Sequence, residues 1–213
     1  MSGVLVMSRS HPISLGALEL AQERTAAKVF HPTAAIRNVG QLKFRTQASR
    51  DFACLLDFDA DVASWICIPA ELPTPQGFHV PDLLVCHEDG TGWFVDVSED
   101  DLSHVTIAAS SLNLVHRVVS PASFVTSLRL INARDLLRYG RYRTPLGDRV
   151  RILAALEECS SLTVAEAFNI FREIQPMAGI ASLVLGRHIA IDMDDELIGP
   201  QTMLRPFASR SSR

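Results

Sequence analysis

VPDLLVCHEDGTGWFVDVSED, residues 80–100, holds two short apolar runs on either side of a turn rich in Asp and Gly, the pattern of an antiparallel hairpin. Each run carries one aspartate among apolar neighbours, Asp82 in the first and Asp96 in the second, where an unpaired charge would be costly to bury. A turn centred near Asp89 sets Asp82 roughly opposite Asp96, and the two-residue period of a strand puts Ser98 on the face of Asp96. The pair reads either as a metal site or as two strand-end carboxylates.

The flanking segments extend this hairpin into a sheet. DVASWICIPAEL (61–72) alternates around Trp65 and Ile66 and closes at Pro69, so with the hairpin it predicts a three-stranded antiparallel meander. Upstream, TQASRDFACLLDF (46–58) spaces Phe52, Leu55, Leu56 and Phe58 along one helical face, with Thr46 or Ser49 as the start signal. Downstream, DLSHVTIAASSLNLVHRV (101–118) reads as a second helix, weakened by its Ser, Thr and Val, and ASFVTSLRLINARDLLRYG (122–140) as a further strand and a short helix. Helix, meander, helix and strand make an α/β sandwich of one sheet, with Trp65 and Trp93 in its core or at its rim.

The tail reads as a separate unit. TPLGDRVRILAALEE (144–158) opens with Pro145 and repeats apolar residues at Val150, Leu153, Ala154 and Leu156, and LTVAEAFNIFREI (162–174) places Thr163 three residues before Glu166, a capping-box pattern. A third helix ends at Gly186, followed by a strand HIAIDMD and a return toward Leu204 and Phe207. Three helices and a small hairpin form a winged-helix arrangement, with DMDDELIG (192–199) as the charged turn of its wing, since the ligand spacing of a calcium loop is missing.

Charge is distributed unevenly over the 213 residues, which are 47% hydrophobic with a net charge of −4. No Lys or Arg occurs from Asp51 to His116, whereas twelve acids do, a segment that repels phosphate unless cations intervene. The sign then reverses: Arg129, Arg134, Arg138, Arg141, Arg143, Arg149 and Arg151 are opposed only by Asp135 and Asp148, so phosphates of a bound nucleic acid belong there. The start of the chain lacks a secretory pattern and no apolar run nears the ~20 residues of a membrane span, giving an expectation of a cytoplasmic protein without a membrane partner. Cys54, Cys67, Cys86 and Cys159 sit singly and read as small core residues. His79 and His104 are isolated and read as surface or hydrogen-bonded groups, and the absence of a phosphate-cradling glycine loop argues against a nucleotide cofactor.

SRDFACLLDFDADV, PAELP, FHVPDLLV, DGTGWFVDVS and the basic stretch together resemble the N-terminal nuclease domain of the TnsA family, the endonuclease subunit of heteromeric transposases, over roughly residues 41–140. The tail is similar to that family's small C-terminal winged-helix-like domain. The resemblance implies a restriction-endonuclease-like central mixed sheet flanked by helices, and a division into an N-terminal arm (1–40), a nuclease-fold domain (41–143) and a winged-helix-like domain (144–213). It also implies a PD-(D/E)xK site in which Asp82 and Asp96 hold Mg²⁺. The positions matching the family's helix glutamate and its lysine are Ser49 and Ser98, so the site is degenerate. Glu99 could serve as a third oxygen only if a bulge turned it inward. The only lysines, Lys28 and Lys43, precede the motif helix, and Arg50, beside Ser49, suits phosphate contact rather than proton transfer.

Three readings follow. The first is a catalytically degenerate TnsA-like protein that binds DNA or partner proteins, a transposase or other mobile-element protein among them, with no cofactor. The second is an active, divergent Mg²⁺-dependent endonuclease using Asp82, Asp96 and Glu99. The third is an interaction or regulatory adaptor with no DNA role, in keeping with the acidic middle segment.

Overall fold

A computed structural model describes residues 15–207 of the chain. Helix α1 (Leu15–Arg24) is followed by a connecting segment that bridges Lys28 to Phe44 and runs residues 37–39 beside the sheet edge, where Trp65 donates to the Arg37 carbonyl and Val39 to that of Trp65, both at 2.9 Å. The expected N-terminal arm is also joined to the central unit at Ala21, in the shared core cluster, and at Gln22, which donates to the Cys67 carbonyl at 3.2 Å; residues 1–14 lie outside the described residues.

Helix α2 (Gln47–Leu56) starts where the Thr46 hydroxyl accepts the Ser49 N–H at 3.0 Å, the N-cap geometry that satisfies a helix-start donor. Its buried face, Ala53, Cys54 and Leu56, packs on one side of a four-stranded sheet. That sheet contains β1 (Val62–Cys67), then, after a small hairpin of β2 (Leu72–Thr74) and β3 (Gly77–His79), the strands β4 (Leu83–His87) and β5 (Gly92–Val97). The three form the expected antiparallel meander, with Leu83 opposite Val95 and Leu84 opposite Phe94. Helix α3 (Ser103–Ser111) crosses over to β6 (Val115–Val119), which pairs parallel with β5, completing the order β1-β4-β5-β6. Trp65, Leu83 and Val95 face α2, while Ile66, Leu84 and Phe94 pack with Val105 and Ala109 of α3 on the other side. Burial on both faces explains why β4 reads as a continuous apolar run.

The fourth strand lies elsewhere than expected. The helix predicted over 101–118 stops at Ser111, and Asn113 takes a left-handed backbone (φ 57°). The β-branched residues beyond it gain ladder bonds to β5, which helix propensity cannot match. The strand expected within residues 122–140 is not formed; the segment instead runs from a short 3₁₀ turn (Pro121–Ser123) into helix α4 (Leu128–Leu137), capped by the Ser127 hydroxyl.

The C-terminal elements run α5 (Leu146–Cys159), β7 (Leu162–Thr163), α6 (Val164–Phe168), α7 (Pro176–Leu185), β8 (Ile189–Ile191) and β9 (Met203–Pro206), with sheet order β7-β9-β8. The capping box at Thr163 and Glu166 is formed, and Gly186 closes α7. On α5 the buried stripe is Asp148, Ile152 and Leu156, while Val150 is exposed. Helix α7 is buried along most of its length, packed against α4, α6 and β8. Its apolar cluster is continuous with that of the central sheet, from Phe44 and Trp65 through Leu130 and Leu137 to Ile152, Leu185 and Leu204. Beyond α7, Arg187 pairs with Glu88 at 2.6 Å and donates to the Asp59 and Val62 carbonyls at the mouth of β1.

Of the four cysteines, Cys54 and Cys67 are core residues whose thiols burial pushes up to about 12. Cys86 is half-buried, and Cys159, at the end of α5, is exposed, contrary to its expected place in the core. No described helix is long and apolar enough to cross a membrane.

Candidate functional site

The meander register, continued one residue beyond Leu83 and Val95, sets Asp82 across from Asp96. Alternation then turns both toward the face that carries Leu84 and Phe94. The two are laced by the backbone: the Asp82 N–H donates to Asp96 Oδ1 at 3.1 Å and the Val97 N–H to Asp82 Oδ2 at 2.9 Å. Both carboxylates are nearly closed off from solvent, so each needs charged or polar partners.

Those partners arrive from three separate elements. Arg45, just ahead of α2, places Nε 2.9 Å and Nη2 2.8 Å from Asp82 Oδ1, and the same Nη2 3.0 Å from Asp96 Oδ1. One guanidinium therefore spans the pair, using the planar fork of donors that a lysine lacks. His79 Nε2, from β3, lies 2.6 Å from Asp96 Oδ2, and His116 Nε2, from β6, lies 2.8 Å from the same oxygen. His116 is buried and its Nδ1 sits 2.8 Å from the Thr106 hydroxyl on α3, which also reaches the Leu102 carbonyl. Burial by itself would raise the Asp96 carboxyl; the hydrogen bonds from His116 and His79 and the charges of His79 and Arg45 outweigh it and hold the group well below the usual carboxylate range. With neutral imidazoles, two carboxylates and one guanidinium leave one negative charge in this enclosure.

The other residues singled out in the sequence fall elsewhere. Ser49 is buried at the start of α2, its hydroxyl 2.8 Å from that of Thr46. Ser98 donates to Asp100, and its N–H extends the ladder to the Val119 carbonyl. Glu99 is not turned inward: it accepts from the Ser120 hydroxyl at 2.7 Å and the Ala122 N–H at 3.1 Å, bracing the 3₁₀ turn. Arg50 is wholly buried, donating to the Pro32 and Ala34 carbonyls beneath the Phe44 ring, so it anchors the N-terminal segment and offers nothing to a phosphate. Trp93 sits at the sheet rim, half-buried beneath the Arg117 guanidinium.

Among the seven arginines of the basic stretch, Arg129 pairs with Asp194, Arg134 with Asp51, and Arg151 with Asp148 and Glu173. Arg138 keeps only a 3.8 Å contact with Asp135, and Arg141, Arg143 and Arg149 are exposed with no carboxylate within 4 Å among the described residues. Arg134, Arg138 and Arg141 line a cleft of about 550 Å³ whose wall includes Gln47, two residues from Arg45. Arg143 and Arg149 line a neighbouring cleft with Tyr142 and His188.

Sequence reasoning found the acid pair and missed three of the side chains that meet it. Arg45 carries no motif; His79, read as a surface or hydrogen-bonded group, is hydrogen-bonded, and its partner is Asp96; His116 lies in a segment read as helix. Compared with known protein families and with characterised proteins, the chain matches none.

Proposed function

We propose that this chain is a nuclease-like scaffold protein that binds DNA without cutting it through its acid pair, working beside partner proteins such as those of a mobile-element complex. The observation that carries this reading is Arg45: its guanidinium bridges Asp82 and Asp96, occupying the oxygens a Mg²⁺ ion would need. The order around the pair, a helix, three sheet strands interrupted by the β2–β3 hairpin, a helix and a fourth sheet strand, agrees with the restriction-endonuclease-like core implied by the TnsA resemblance. The order of helices and strands in the tail, with the last strand between the other two, agrees with a winged helix. In that arrangement the third helix is the usual groove reader; here α7 is packed into the core, so phosphate contact falls to the exposed arginines of the α4–α5 connection and the first turn of α5 instead.

The test is a binding isotherm on duplex DNA at several salt concentrations, together with a cleavage assay in Mg²⁺ and Mn²⁺. Binding should weaken steeply with salt, and changing Arg141, Arg143 and Arg149 to Ala should lower the slope of log K on log salt by about 3. No metal-dependent cleavage should appear. Cleavage lost in Asp82→Ala would establish an active endonuclease in its place, and an isotherm flat even at low salt would leave a protein-docking adaptor.

A further inference from the structure

We infer that His79, Asp96 and His116 form a binding site for a divalent transition-metal ion of the Zn²⁺ or Co²⁺ class, distinct in chemistry from the Mg²⁺ site that the acid pair resembles. Among the described residues their ligand atoms, two imidazole nitrogens and one carboxylate oxygen, lie within 4.8 Å of one another. Two nitrogens and one oxygen suit a borderline ion, whereas Mg²⁺ and Ca²⁺ prefer oxygen shells.

Four features go beyond mere proximity. Asp96 divides its oxygens: Oδ1 is taken by Arg45 and the Asp82 N–H, leaving Oδ2 alone to face both imidazoles, so it offers one-oxygen ligation. His116 is oriented from behind: the Thr106 hydroxyl can accept from the His116 Nδ1–H at 2.8 Å while donating to the Leu102 carbonyl at 3.4 Å. On binding, with the proton of the neutral ring on Nδ1, Nε2 exchanges its hydrogen bond to Asp96 for the ion, and Thr106 gives the outer-shell support common to metal-bound histidines. Third, the enclosure keeps one negative charge when both imidazoles are neutral, and a dication reverses the imbalance where, among the described residues, Arg45 is the only other cation paired with the acids. Lastly, the site is closed on the His116 side and open on the other: the side chain of His79 is 21% exposed against 0% for His116, which leaves room for water or a bound group as a fourth ligand.

Ligands of a tetrahedral ion stand about 3.4 Å apart when each bond is near 2.1 Å. The present separations of 2.6 and 2.8 Å therefore widen by several tenths of an ångström on binding. His79 is the side that yields, because it sits on a three-residue strand whose Gly77 and Phe78 are exposed, whereas the His116 side chain is enclosed. Binding would then add a link from β3 to the central sheet, on which Leu72 of β2 is already packed.

The inference is tested on the chelator-treated full chain by calorimetric titration with Zn²⁺ and by the visible absorption of Co²⁺, with Mg²⁺ as a parallel arm. One equivalent of Zn²⁺ should bind, Co²⁺ should give the ligand-field bands of a low-symmetry nitrogen and oxygen site, and Mg²⁺ at equal concentration should give no heat. Thr106→Val should weaken Zn²⁺ binding between about tenfold and a hundredfold and His79→Ala, which removes a ligand, by more than that, with the far-ultraviolet circular dichroism unchanged in both; H79Q serves if the alanine variant misfolds. Absence of Zn²⁺ heat and Co²⁺ bands, Zn²⁺ binding undiminished in both the His79 and Thr106 variants, or equal binding of Mg²⁺ would each overturn it. The outcome is independent of whether the chain binds DNA.

Discussion

Asp96 and Asp148 are both buried aspartates, 2% and 0% exposed, yet they are satisfied in opposite ways. Asp148, at the head of the buried α5 stripe, is met chiefly by backbone: the N–H groups of Arg172, Glu173 and Ile174 donate to it at 2.7, 2.9 and 3.1 Å, and Arg151 closes the remaining side. Asp96 is met mainly by side chains from distant elements, Arg45, His79 and His116, with only one backbone N–H. Backbone donors from successive residues hold a carboxylate in one geometry and fix a loop. Side chains on separate elements can exchange partners, so the same cost of burial is met by groups that can also move, be displaced or bind an ion. The difference marks Asp148 as a fastening and Asp96 as the centre of a site.

The contrast breaks most decisively at Asp148. Replacing it by Ala removes the acceptor of three adjacent N–H groups and leaves Arg151 with Glu173 alone, at a cost on the order of 3 kcal/mol; urea unfolding should show it as a lowered midpoint with the slope unchanged. The acid response sharpens the point. Burial would raise the Asp148 carboxyl, but Arg151 and the three N–H groups prevail and hold it below its ordinary 3.8. A carboxyl lowered on folding contributes stability that is complete above its unfolded value and is lost as pH falls through its folded one. Asp148→Asn should therefore be less stable near neutrality and show a shallower loss of stability below about pH 4.

At the other centre the comparable change is Arg45→Ala. It leaves two neighbouring carboxylates without their shared cation, but the Arg45 side chain is 29% exposed, so water can partly replace it, and a loss of about 2 kcal/mol is expected. Arg45→Lys should recover only part of this, because one ammonium cannot span both carboxylates with the same fork. The sharper expectation concerns ions: with the guanidinium gone, Mg²⁺ should raise the thermal midpoint of the alanine variant and leave the native chain unaffected. Equal response of both chains would mean that Arg45 does not hold the cation's place.

The half of this comparison that was legible in the sequence is the half governed by local register. Asp82 and Asp96 face each other because a hairpin about Asp89 makes their pairing simple counting, and alternation then settles their side of the sheet. Thr46, Thr163 and Gly186 were legible for the same reason, since caps are satisfied within a few residues. Asp148 escaped notice because its donors lie 24 to 26 residues away and because a charge at the head of the α5 stripe interrupts the apolar period, shifting the apparent face to Val150. His116 was lost when its strand was read as the end of a helix: only parallel pairing to β5, a contact across the whole α3 crossover, gives Val115–Val119 its extended form. Arg45 and His79 reach the pair through tertiary placement of the α2 entrance and the β2–β3 hairpin, and no spacing rule encodes either. The site's acids were written in one hairpin, its guanidinium and imidazoles in the assembly of three further elements.

The smallest and most selective break is Thr106→Val. Valine matches threonine in shape, so packing of α3 on the sheet is kept, while the hydroxyl behind His116 Nδ1 is lost. A buried imidazole nitrogen without its partner costs about 1 kcal/mol, a shift that chemical denaturation can resolve only with care. Its diagnostic value lies elsewhere. If the imidazoles merely cushion Asp96, the loss is the same with and without Zn²⁺. If Thr106 orients a metal ligand, the variant's deficit grows when Zn²⁺ is present, because the native chain is stabilised by the ion more than the variant is. A deficit in unfolding free energy that does not change between chelated and Zn²⁺-supplied protein would make Asp96 a fastening like Asp148, built from side chains in place of backbone.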